Sequence, residues 1–180
     1  MENIREETGW ETVVCLNGQL EIQLPGGFEA VTGKEVEKKF PYGQGPQEIY
    51  MDHTGEKIIT FNLLDKALEE KQVYSAVREI QVLIGHLYPE SIRQQAACIR
   101  AKEETAGWFS FATGGLTEDC IHILFVLSLE GKMMFGSYHF PAGDEAEERK
   151  TFQKIIRSAA VKKKKQEKAG GWYVGGNIWG

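Results

Sequence analysis

An antiparallel α+β sandwich is what this sequence predicts, on three observations. Strand-like runs come in pairs joined by tight-turn dipeptides. Apolar periodicity switches to helical spacing over two long stretches. Those stretches fall between or after the strand pairs rather than after each strand, which disfavours a doubly wound α/β fold. A sheet of about six to eight strands flanked by helices follows.

The first pair is Thr12 to Leu16 and Gln19 to Leu24 around Asn17-Gly18, a dipeptide that accepts positive φ at both centres of a type I′ turn. Leu20, Ile22 and Leu24 alternate with Glu21 and Gln23, so one face is buried and one is wet. Pro25, Gly26 and Gly27 end that strand before Phe28, and Thr32 is placed to cap a short helix over Gly33 to Lys39. Phe40-Pro41 closes the helix, and Gly43, Gly45 and Pro46 make a loop. Glu48 to Asp52 and Lys57 to Leu63 form the second pair through Thr54-Gly55. From Leu68 to Leu87 the period is helical, with Val73, Val77, Ile80, Ile84 and Leu87 as the buried stripe and Pro89 as the stop.

The second half is mostly strand. Ser91 to Lys102 and Gly107 to Thr113 flank the polar turn Glu103, Glu104, Thr105, and Gly114-Gly115 ends the pair. Cys120 to Leu129 is apolar on both faces and reads as a central strand covered on each side. Glu130-Gly131 turns it into Lys132 to Phe140, stopped by Pro141. Asp144 and Glu147 have capping-box spacing for a last helix, Glu145 to about Lys163, with Phe152, Ile155, Ile156 and Ala159 inward. One domain over residues 1–161 and a tail over 162–180 is the expected organisation.

Composition removes several functions. The 180 residues are 42% hydrophobic and 26% charged, enough for a packed core. The six charged residues from Lys162 to Lys168 carry +4, so the remainder carries −9 of the net −5. An acidic body does not fit a nucleic-acid surface, which needs clustered cations. The charged start Met1 to Glu7 lacks the apolar core of an export signal, so a cytoplasmic location is expected. Cys15, Cys98 and Cys120 each lie in an apolar run without a C-x-x-C pair and read as buried free thiols.

The order of these elements resembles the PsbP-like fold shared by the photosystem subunit PsbP, the Ran-binding Mog proteins and bacterial DcrB-like proteins. The residues that carry the likeness are Leu24, Pro25, Gly26, Gly27, Phe28 at a strand end and Phe40-Pro41 after the short helix. Others are Tyr88-Pro89 after the long helix, Trp108, Phe109, Ser110, Phe111 on a strand, Leu129 to Lys132 in a turn, Phe140-Pro141, and Phe152, Ile155 and Ile156 on the closing helix. The resemblance implies an α/β/α sandwich that works mainly by binding proteins. Its Eag-type bacterial members are cytoplasmic adaptors that hold apolar segments, and no motif of this chain carries over the Ran-binding residues.

No nucleophile elbow, Walker loop or other catalytic signature is present, and no cofactor is expected. His86 and Glu90 are four apart, but Pro89 breaks the helix that would align them for zinc. His122 and His139 are placed eight residues out from each side of the Glu130-Gly131 turn, so they are expected to be cross-strand neighbours. The main reading is therefore a non-catalytic adaptor or chaperone-like module, with a protein partner and a homodimer expected. In this reading Trp172, Tyr173, Ile178 and Trp179 of the tail bind a partner, a groove of this chain or a second copy. A peripheral membrane protein anchored by the Lys/Trp tail, and a small hydrolase or metal enzyme using His122 and His139, are the alternatives.

Overall fold

The computed structural model describes residues 9–39, 45–115 and 118–162. Trp172, Tyr173, Ile178 and Trp179, with most of the lysine run and Phe40-Pro41, lie outside the described residues. The elements run β1 (Trp10–Cys15), β2 (Leu20–Pro25), β3 (Glu29–Ala30), α1 (Lys34–Lys39), β4 (Glu48–Met51) and β5 (Ile58–Ala67). They continue with α2 (Val73–Leu87), β6 (Ile92–Arg93), β7 (Ala97–Arg100), β8 (Thr105–Thr113), β9 (Cys120–Leu129), β10 (Lys132–Pro141), α3 (Glu145–Ser158) and β11 (Ala160–Val161). Eight strands pair antiparallel in the order β3-β4-β5-β10-β9-β8-β6, with β7 also on β8, and β1-β2-β11 form a second, three-stranded sheet.

The turns behave as their dipeptides require. Asn17 and Gly18 sit at φ 55° and 81°, and Glu130 and Gly131 at 49° and 79°. β9 is central between β8 and β10. Its Ile121, Ile123, Phe125, Leu127 and Leu129 join α3 and the small sheet in the main core, whereas Leu124 and Val126 face the α2 side. The sheet is thus covered by α3 and the small sheet on one face and by α2 on the other.

Gly136 explains how aromatic residues fill that core. It pairs with Phe125 on one side and Phe61 on the other. The two rings close over it, edge to face, with centroids 6.1 Å apart. A β-carbon there would lie 2.1 Å from the Phe125 ring. Gly136→Ala is expected to lower stability by about 1–3 kcal/mol through overpacking, seen as a lower urea midpoint at unchanged slope. An unaltered midpoint would mean that the rings part freely.

Several features differ from the sequence expectation. β5 continues to Ala67 because β10 pairs with it as far as Lys132, and Leu68 donates its amide to Gly131, so α2 starts only at Val73. A capping box not read from the sequence is formed by Glu69 and Gln72 around the 3-10 turn that precedes α2. Asp144 makes no cap bond; its carboxylate lies 3.7 Å from the Lys57 amine instead. α3 ends at Ser158, where Ala159 turns to extended backbone and β11 adds to β2. Ser91 to Lys102 is split into β6 and β7, which share the outer edge of β8.

Candidate functional site

The histidines expected to be neighbours are direct cross-strand partners, His139 on β10 opposite His122 on β9. Their rings meet nearly edge to face, 4.7 Å between centroids, with the two Nδ1 atoms 2.5 Å apart. Each outer nitrogen is held by a hydroxyl. Thr113 Oγ1 is 2.7 Å from His122 Nε2, and Ser137 Oγ is 3.1 Å from His139 Nε2. Thr60 Oγ1 lies 2.6 Å from Ser137, which completes a polar chain across β8, β9, β10 and β5. Either direction of this chain satisfies every atom, because each hydroxyl donates or accepts and each neutral imidazole does one at each nitrogen. Burial lowers the pKa of His122, and burial followed by the neighbouring ring lowers that of His139 to about 4.

Ser137, His139 and His122 have the connectivity of a nucleophile, a base and an orienting group. The Ser137 hydroxyl is buried and shared with Thr60. Ser137, His139 and His122 line neither the cavity beside Leu87 and Tyr88 nor those beside Arg149, Arg93 and Lys132. Among the described residues no group of three or more His, Cys, Asp or Glu is arranged around a metal position. His86 is exposed on the last turn of α2, and His53 is exposed in the β4–β5 turn. Of the three free thiols, Cys15 is buried and pushed up to about 12 by burial and then by the charge of Glu48. Cys98 is exposed, contrary to the expectation, because it falls on the outward face of edge strand β7.

A second feature stands out at the end of α2. Only Val73, Ala76 and Val77 of the helix are buried; Ile80 and Ile84 pack partly buried against Phe109 and Phe111, and the other large apolar side chains of the last two turns are exposed. Val82, Leu83, Leu87, Tyr88 and Ile92 are 57%, 55%, 62%, 48% and 76% exposed. Beside Leu87 and Tyr88 opens a cavity of about 300 Å³, with Leu87, Tyr88, Pro89 and Ser91 on one wall and Ala112, Thr113 and Gly114 on the other. On the opposite side of β6 a cavity of about 220 Å³ has Ile92, Ala112, Ile121 and Arg149 among its walls. Tyr88 stacks on Phe111 at 5.8 Å, and Phe111 stacks on His122 at 4.7 Å, so the patch is seated on the histidine pair.

Sequence reasoning placed Leu87 in the buried stripe and passed over Val82 and Leu83. The signal was present: Val82-Leu83-Ile84 followed by Leu87-Tyr88 puts apolar side chains around the whole helix, more than a single buried stripe needs. Large exposed apolar side chains beside a cavity, as at Leu87 and Tyr88, mark interaction sites in folded proteins.

No known family profile and no curated protein matches the chain. Solved structures do. Cyanobacterial PsbP (CyanoP) from Synechocystis sp. PCC 6803 superposes with a TM-score of 0.55 at 12% identity, over 85% of this chain and 92% of that one. LpqN of Mycobacterium tuberculosis, described as involved in cell envelope biogenesis, does so with a TM-score of 0.53 at 10% identity, over 86% and 91%. A crystal structure from Bacteroides thetaiotaomicron gives a TM-score of 0.57 at 8% identity over 86% of this chain; the chain spans 49% of that protein's length. At such identities the likeness is one of fold. The antiparallel eight-stranded sheet, its covered central strand and these superpositions together make this a PsbP-like fold.

Proposed function

We propose that this chain is a non-catalytic protein-binding module, an adaptor or chaperone-like accessory, that docks an apolar segment of a partner protein at the end of α2. The observation that carries the reading is the pair Leu87 and Tyr88, 62% and 48% exposed, on the wall of the cavity that faces Thr113, with Val82, Leu83 and Ile92 also exposed on α2 and β6. Interface centres are built this way, with aromatic and aliphatic anchors beside pockets that take the partner's own anchors. The polar Glu90, Ser91 and Gln94 supply a rim that stays wet.

The test is site-specific cross-linking followed by binding of the purified partner. A photo-reactive residue at position 87 is expected to capture a partner that the same residue at position 150, an exposed site on α3, does not. Leu83→Glu with Leu87→Glu is expected to weaken that partner at least tenfold while leaving the urea midpoint unchanged, since both side chains are already in water. Equal capture at both positions, or unchanged affinity in the double variant, would sink the assignment. Should light scattering show a dimer that the double variant dissociates, the docked segment is that of a second copy.

A further inference from the structure

We propose that His122 and His139 form a two-imidazole chelate for a borderline transition-metal ion of the zinc or copper type. The inference is independent of the binding role of α2. It starts from proximity: in-register pairing brings two Nδ1 atoms from adjacent strands into one hydrogen bond, 2.5 Å apart, where a metal ion would take the place of the proton they share. Ligation through both Nδ1 atoms requires the remaining proton of each ring to sit on Nε2 and to find an acceptor. Both acceptors are already in place, Thr113 Oγ1 at 2.7 Å and Ser137 Oγ at 3.1 Å, and Thr60 takes the Ser137 proton in turn. Metal-bound histidines are oriented by this kind of outer partner.

The arrangement also fits the ion's size and preference. Bonds of about 2.0–2.1 Å at a tetrahedral angle put two nitrogens about 3.3 Å apart, so the rings need to part by about 0.8 Å. Both side chains are half-buried and keep some exposure to solvent, from which water would complete the coordination. Imidazole nitrogen suits zinc, copper and nickel, with copper(II) bound most tightly, and the pair offers no carboxylate oxygen for calcium or magnesium.

Zinc chloride and copper(II) chloride are the probes, added to the full chain after dialysis against chelator. One equivalent is expected to raise Tm at neutral pH, and ring-nitrogen NMR is expected to show Nδ1 of both His122 and His139 shifting while Nε2–H persists. His139→Asn is expected to abolish the effect. Thr113→Val, which keeps both ligands, is expected to weaken binding about 10–100-fold. An equal Tm rise in His139→Asn, NMR shifts centred on His53 or His86, or no response at about tenfold excess would each overturn the site. Where His139→Asn fails to fold, the NMR of the unmodified chain decides alone.

Discussion

Acidification from pH 7 to about 4 is expected to cost the metal-free chain about 3 kcal/mol of folding stability through one side chain, His139. Burial, and then the charge of His122, hold its imidazole at about 4 in the fold, against 6.5 when unfolded. Between those values the unfolded chain binds a proton that the native chain does not, so stability rises with pH across the window. The contribution is complete above pH 6.5, falls as pH drops, and levels off below 4. At about 1.4 kcal/mol per unit, that window gives the figure stated. His122 is lowered by burial and acts in the same direction.

The pair has a physical reason to refuse its second proton. One extra proton leaves an Nδ1–H facing an Nδ1 lone pair, and both Nε2–H groups still have hydroxyl acceptors. A second sets N–H against N–H at the same contact and places two charges side by side in a half-buried site. Urea titrations at pH 7, 5.5 and 4.5 in chelator, on the native chain and on His122→Val/His139→Val, separate this loss from acid effects common to both. Parallel profiles would show that His139 is not held neutral in the native state.

That pair could be found by counting residues because a two-residue turn fixes register, and register fixes which side chains face each other. The same logic made the Asn17-Gly18 hairpin legible, and the hairpin around Thr54-Gly55 was found too, although Asp52 and Lys57 close a four-residue loop there. What sequence reading missed is decided at a distance. β5 runs to Ala67 because β10 supplies backbone partners there, not because Asp65 and Lys66 favour a strand. α3 stops at Ser158 because Ala160 and Val161 complete the edge of β2, although the lysines beyond would suit a helix end. The exposed end of α2 was misread because a 3.6-residue stripe says which face is apolar, not where the sheet beneath it ends. Asp144 illustrates competition: its spacing suits a cap, yet it lies beside Lys57 in the group that ties α3 to the sheet.

Removing the centre of that group, Glu148→Ala, is expected to destabilise the fold by about 3–5 kcal/mol. Glu148 is a buried acid on α3; one carboxylate oxygen accepts the amine of Lys57 at 2.6 Å and the other accepts the hydroxyl of Tyr138, which is fully buried. Burial raises the Tyr138 pKa, and the bond to Glu148 raises it further, so the phenol stays a donor at every working pH. Burial alone would lower the Lys57 pKa, but the bond to Glu148 and the charges of Glu148, Asp144 and Asp52 raise it on balance, so the amine stays charged. Alanine at 148 therefore strands a donor in the core and a cation at its edge, and both penalties are desolvation costs rather than the worth of the lost bonds. The distinction can be measured. Lys57→Met, Tyr138→Phe and Glu148→Leu made together remove every unpaired group, and this triple variant is expected to recover most of the loss. A triple variant as unstable as Glu148→Ala would mean that the network contributes through its own bonds.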